Sequence, residues 1–231
     1  MDYLLQGFLQ GFVLLFTGNA ETYSAIWATV GASTLSMFFS ITIGVPLGFL
    51  LGHNAFPCKK IVRTCVDTLL SFPTVVIGLL VYAFLTRHGP LGGTGLLFSI
   101  PGIAVGQTLL GLPIIIAMTA TAVEALDKRL PQTLITLGAN PRQILWATVI
   151  EARFSIMLAA MAAYGRIVSE VGISMLVGGN IKWHTRTITT AIALETGKGE
   201  FAMGIALGMV LLAVALTVNI FASGLKKRAI Q

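Results

Sequence analysis

Arg166 and Glu170 stand four residues apart inside an otherwise apolar stretch over 153–176. At i, i+4 on a helix, opposite charges share a face and neutralise one another, which makes a membrane span acceptable where a lone charge would not be. Two roles suit them. One is a structural ion pair that fixes the helix or a seam between two copies. The other is a weak contact on the path or gate of an anion, with Ser169 alongside; a neutralised arginine holds an ion loosely enough to release it, as a conduit requires. Other reactive constellations are missing from the sequence. No Ser/His/Asp set or His-x-x-x-His pair occurs, and Cys58 and Cys65 make neither a CxxC pair nor a disulfide framework. His53, His88 and His184 fall at separate span ends, and no phosphate-binding Gly-Lys-Ser/Thr pattern is present. No catalysis, metal site or cofactor is therefore expected in this chain.

The elements that must position the pair follow from composition. Of 231 residues, 55% are hydrophobic and 10% charged, with mean hydropathy +0.88. Soluble domains carry about 25% charged residues, so the chain is expected to be an all-α membrane protein. Its apolar stretches are continuous, whereas barrel strands alternate. A hydrocarbon core takes about 20 apolar residues to cross. Charge-free gaps then predict five transmembrane helices, near 24–52, 62–86, 97–122, 153–176 and 201–224. Tyr3–Phe16 is apolar but short, with Gln6 and Gln10 on one face and Gly18-Asn19 after it. It is expected to be an N-terminal interfacial helix within residues 1–20. Asp2 stands where a leader would be basic, so no cleavable leader is expected.

The net charge of +6 reads as a topology signal, not as a sign of nucleic acid. With the 53–61 loop inside, one side collects Lys59, Lys60, Arg63, Lys128, Arg129, Arg142, Arg153, Lys226, Lys227 and Arg228. The other holds Arg87, Lys182, Arg186 and Lys198. That asymmetry predicts an outer N-terminus and an inner C-terminus. Gly44/Gly48/Gly52, Ala159/Ala163, Gly165/Ser169 and Gly204/Gly208 repeat at four-residue spacing and suit close helix packing, within the chain or between two copies. Pro46, Pro73, Pro101 and Pro113 are expected to kink their helices. The outer segment 177–186 reads equally as a surface for a solute-binding partner or as a structural re-entrant turn.

The segment 124–152 is a long inner loop that reads as two short amphipathic helices. Pro131 opens the first, which runs to Leu137, and Gly138 closes it; Asn140 and Pro141 open the second, which carries Ile144, Leu145 and Trp146. Such a loop either folds on its own bundle or docks a cytoplasmic partner.

Leu137-Gly138-Ala139-Asn140-Pro141 followed by Trp146 resembles the cytoplasmic loop of ABC-importer permeases, in which a short helix before the glycine sits in a cleft of the ATPase. Gln132-Thr133-Leu134 replaces the usual Glu-Ala-Ala, and Ile150-Glu151 the usual Leu-Pro. The resemblance assigns ATPase docking to Gln132, Leu134, Leu137, Gly138, Ala139, Pro141 and Arg142. Asp67 with Phe72-Pro73-Thr74 and Gly78, Pro101-Gly102-Ile103 with Pro113, and Gly165–Gly172 resemble successive helices of the molybdate-type members. Thr185–Ile192 continuing through Leu194–Gly199 is similar to the tungstate type. Together these cover most of residues 22–224.

The resemblance implies a type I importer fold over 1–231 as one permease domain, with a core over 22–224. It also implies a bacterial or archaeal cytoplasmic (inner) membrane location among membrane lipid and a tetrahedral oxyanion cargo, tungstate before molybdate. The implied assembly is a homodimer, with cytoplasmic ABC ATPase subunits that bind ATP and magnesium and an extracytoplasmic oxyanion-binding protein. A secondary transporter or channel without an ATPase is the alternative, and it would carry more buried ionisable groups than this pair.

Overall fold

The computed structural model describes residues 2–127 and 129–230, without the side chains of 2–4, 6, 14, 15, 131, 221–223 and 225–230. Lys128 and the side chains of Gln6, Pro131, Lys226, Lys227 and Arg228, named above, lie outside the described residues. Among the described residues, ten α-helices follow one another: α1 (Asp2–Phe16), α2 (Ala20–His53), α3 (Lys59–Leu70), α4 (Thr74–Leu85), α5 (Ile100–Glu124), α6 (Arg129–Thr136), α7 (Pro141–Val168), α8 (Gly172–Gly178), α9 (Ile188–Gly197) and α10 (Phe201–Ile230). α2, α5, α7 and α10 over Phe201–Ile220 are each long and apolar enough to cross a membrane, and α3 with α4 adds a fifth if the bent pair is one span.

The centre of the bundle is α2 against α5. Ile115 faces Gly44, Ile116 and Thr119 face Gly48, and Ala120 and Val123 face Gly52, so the two helices run parallel. α7 returns alongside α5: Ala159 and Ala163 meet Ile115, and Ala152 meets Val123. Asn19 accepts the Thr22 amide at 3.0 Å and caps α2, while Ser99 caps α5 through the Gly102 amide at 3.1 Å. α1, too short to be a span and expected in the membrane interface, instead runs beside α10 and parallel to it, because Gly7 and Gly11 let it pack against Ile205 and Met209 of that span.

Two expected spans come out differently. The stretch 62–86 is not one helix: it breaks at Ser71-Phe72-Pro73 into α3 and α4, bent by 96°. Proline cannot donate to the preceding turn and biases Phe72 away from helical geometry. The stretch 153–176 also breaks. α7 ends at Val168, and α8 starts afresh at Gly172. At its other end, α7 absorbs the second short helix of the inner loop. Asn140 and Gln143 form a reciprocal capping box with Pro141 in the first turn, and the helix then runs on without a stop into the span. Of the prolines expected as kinks, Pro73 marks the 96° break and Pro101 begins a helix instead. Pro101 lies in the first turn of α5 and Pro73 precedes α4, whereas Pro46 and Pro113 lie inside their helices.

A Cβ on Gly48 would sit 2.7 Å from the Thr119 Cβ and 2.6 Å from the Ile116 carbonyl, whereas one on Gly208 would meet open space. Gly48→Leu is expected to cost at least the about 1–3 kcal/mol typical of overpacking. Gly208→Leu should unfold within a few degrees of wild type. Thermal unfolding of the purified protein in detergent compares the two.

Candidate functional site: a paired break at mid-bundle and an inner hairpin

Both helix breaks lie at the same depth. Ile167 packs on Gly111, near the middle of α5, just before α7 stops. α4 and α8 run side by side from their breaks: a Cβ on Gly78 would sit 3.2 Å from the Ile173 Cα, and one on Gly172 would sit 3.2 Å from Val75 Cγ2. Glycine at both positions is what allows two short helices to lie this close. Beyond them Ile77, Val81, Leu85, Ile173 and Val177 form one apolar cluster with Leu110.

Glu170 stands in the gap between α7 and α8, not on a continuous helix as its spacing from Arg166 suggested. The ion pair forms nonetheless, at 3.2 Å from Arg166 Nη1 to Glu170 Oε2. The other carboxylate oxygen, Oε1, accepts the Ile173 amide at 3.3 Å and so satisfies a donor that α8 leaves open at its start. The Glu170 carbonyl accepts the Thr189 hydroxyl at 2.9 Å and the Ser174 hydroxyl at 3.4 Å. Ser174 in turn meets the Gln107 amide at 3.5 Å. The break is thereby tied to α5, α8 and α9 together. α9 itself is capped by a reciprocal Thr187–Thr190 box, and the Ile188 amide donates to Thr29 on α2 at 2.9 Å.

The pair is asymmetric. Glu170 is 3% exposed and Arg166 47%. Ser169 is exposed beside Arg166 and donates to its carbonyl at 3.1 Å. Gly165, one residue before, borders open space: a methyl there would meet nothing within 4 Å, so Gly165 contributes no packing with Ser169 within the chain. An exposed guanidinium and hydroxyl at this depth face either water or another protein surface, because acyl chains offer neither any partner.

At the inner end, α6 (Arg129–Thr136) and the turn to Asn140 carry the expected docking residues. Gln132 and Gly138 are exposed, Leu134, Ala139 and Arg142 follow on the same hairpin, and Pro141 starts α7. Gly138 adopts φ 80°, the left-handed closure expected of it. Leu137 is 77% exposed and Trp146 65%. Large apolar side chains left this open at the end of a bundle mark a surface that another molecule covers.

Two sets of contacts and the full extent of one bend went unread in the sequence. Glu21 at the start of α2 pairs with Lys182 at 2.8 Å and Arg186 at 2.7 Å, which clamps the outer 177–186 segment to the bundle. Glu124 at the end of α5 pairs with Lys59 at 3.1 Å and Arg63 at 3.6 Å. The α3–α4 elbow did leave a signal, the Ser71-Phe72-Pro73-Thr74 run, but charge-free length alone had hidden it.

The arrangement has close counterparts. Residues 44–231 match the family described as binding-protein-dependent transport system inner membrane component. This chain belongs to that family. It is 45% identical to the tungstate uptake system permease protein TupB of Campylobacter jejuni, over 98% of this chain and 95% of that one. It is 33% identical to the TupB of Peptoclostridium acidaminophilum, over 95% and 96% of the two chains. An inward-facing structure of the MetNI methionine ABC transporter superimposes with a TM-score of 0.73, covering 90% of this chain and 96% of that one. At 21% identity that likeness establishes the fold, a type I ABC-importer permease. The protein is thus a multi-pass inner-membrane component of a transport system, and ATPase and binding-protein partners come with the family.

Removal of Arg166 strands a buried carboxylate, whereas removal of the Glu170 charge leaves a cation that is half exposed. Arg166→Gln is therefore expected to cost about 1–3 kcal/mol and Glu170→Gln less, since the amide oxygen still accepts from Ile173. The double variant Arg166→Gln/Glu170→Gln should recover most of the loss in a thermal unfolding assay.

Proposed function

We infer that this chain is the membrane-spanning permease subunit of an ATP-driven importer for a tetrahedral oxyanion, tungstate first and molybdate second. The observation that carries the reading is the inner hairpin. α6 and Leu137–Asn140 project from the bundle with Leu137 bare, and α7 continues stiffly from that hairpin to the Arg166 break. A force applied at the hairpin therefore reaches mid-bundle through one continuous helix of 28 residues. The cargo follows from the TupB relatives, whose similarity spans nearly the whole chain.

In this reading Gln132, Leu134, Leu137, Gly138, Ala139, Pro141 and Arg142 meet the ATPase, which holds ATP and magnesium and performs the hydrolysis; the permease itself is not an enzyme. Two copies of the permease enclose the path, and Arg166 with Ser169 faces it. The positive charge attracts an oxyanion, and Glu170 limits how tightly it is held, so that the ion moves on. An external binding protein supplies the anion at the outer end, where the clamped 177–186 segment lies. The N-terminus is outside and the C-terminus inside, in accordance with the basic-residue asymmetry, and α1 runs beside the α10 span.

The chain, tagged and extracted in mild detergent, is expected to co-purify with an ABC ATPase in equal amounts. Leu137→Asp should release that ATPase while the permease unfolds at an unchanged temperature. In the reconstituted complex, tungstate-loaded binding protein should stimulate ATP hydrolysis more than the sulfate-loaded or empty form. Uptake by the chain alone, driven by an ion gradient, would overturn the reading.

A further inference from the structure

α3 (Lys59–Leu70) is loosely anchored in the bundle. It buries none of its residues, and its apolar contact with the core is Val66, packed near Leu51, Ile116 and Ala120. Charge holds it otherwise. Lys59 Nζ lies 3.1 Å from Glu124 Oε1 and donates to the Gly52 carbonyl at 3.2 Å. Arg63 contacts Glu124 Oε2 at 3.6 Å and Asp67 at 3.3 Å, and donates to the Thr121 hydroxyl at 2.6 Å. A single carboxylate, Glu124, therefore holds two of the three cations of α3, Lys59 and Arg63, and it does so from the last residue of α5.

Glu124 leads into the inner hairpin through a short hydrogen-bonded turn. The Ala125 amide donates to Thr121, the Leu126 amide to Val123, and the Leu130 amide to Asp127. Asp127 Oδ1 also accepts the Arg129 amide at 2.8 Å, at the start of α6. Leu126 packs with Phe49, Val123 and Ala152. On its other side, α3 turns through 96° into α4. The first residues of α4, Thr74 and Val75, lie against Gly172 at the break that carries Glu170, with a methyl on Gly172 only 3.3 Å from Glu170 Oε1.

We propose that Glu124, with Lys59 and Arg63, is a latch that passes movement of the docking hairpin to the α3–α4 elbow and so to the Arg166–Glu170 break. Glu124 and Arg63 are positioning residues: they touch neither ATP nor anion. Ion pairs that are partly exposed are individually weak and can part and re-form, which suits an element that must occupy two positions. Apolar burial of α3 would fix it in one. This second route complements α7, which connects the same hairpin to the other side of the same break. The latch rests on the importer reading above.

The test uses the full complex of permease, ATPase and binding protein in proteoliposomes, and reads the number of ATP molecules hydrolysed per tungstate imported. Arg63→Gln and Glu124→Gln should each raise that number at least fivefold while the ATPase still co-purifies. The double variant should be no worse than the worse single, because both changes break the same contact. Arg63→Lys, which keeps the charge, should stay within twofold of wild type. If the glutamine variants do not accumulate, Glu124→Asp takes their place and should raise the ratio, because its shorter side chain cannot hold both cations. An unchanged ratio, equal falls in uptake and hydrolysis, additive effects in the double, or loss of the ATPase would each overturn the latch. A wild-type complex that hydrolyses ATP without importing tungstate would instead overturn the importer reading itself.

Discussion

Along α2, Ala28, Ala32, Ser36, Ser40, Gly44, Gly48 and Gly52 recur every four residues, and from Ser36 to Gly52 this stripe lies directly against α5. In lipid, helices gain little from apolar burial alone, so close van der Waals contact between small residues must supply much of the association. Size is what the two serines contribute. Their hydroxyls have no hydrogen-bond partner among the described residues, while any larger side chain would push the helices apart. The rest of the bundle is assembled on this pair. α7 packs its own small residues, Ala159 and Ala163, against Met37 and Ile115, and the α4–α8 pair sits against the outer half of α5 through Ile173 and Gly106.

On that rigid pair the structure sets two interrupted spans. An unbroken helix satisfies its own backbone, so a break at mid-bundle needs other partners for the freed groups. Glu170 provides them on one side. Its carboxylate takes an amide of α8, and its carbonyl takes the hydroxyls of Thr189 and Ser174. On the other side Pro73 lacks an amide to satisfy, which lowers the cost of the elbow. The two breaks then meet through Gly172 and Gly78. Glu170 serves structure and charge at once: its burial anchors the break, and its pairing tempers the arginine left exposed at that depth. A structural anchor and an accessible charge, alternatives when read from spacing, are here the two halves of a single contact.

Most of the architecture was legible in the sequence. Long charge-free gaps mark where α2, α5 and α10 must run, because charges are excluded from the hydrocarbon. Asn140, Pro141 and Gly138 likewise mark the inner hairpin, as their backbone preferences are local. Breaks inside apolar stretches were not legible from hydropathy, because α3–α4 and α7–α8 pass for continuous spans on composition. The proline rule at Pro73 foresaw a kink at the first, though not a full break bent by 96°. Hydropathy does not announce the second: Ser169-Glu170-Val171 can continue a helix, and the break is held by Ile173 and Ser174 just after it and by Thr189 from α9.

The sequence by itself determined that the chain is a helical membrane protein, where its long helices lie, and where the inner hairpin turns. Those properties rest on solvation and on local dihedral preference, which act residue by residue. Only the tertiary structure decided which charges meet: Glu21 with Lys182 and Arg186, and Glu124 with Lys59 and Arg63. It also decided that Glu170 is buried while Arg166 is open, and that the two breaks share one depth. Each of these depends on residues far apart in the chain, brought together by the register of α5 against α2 and α7, and no local preference encodes that register.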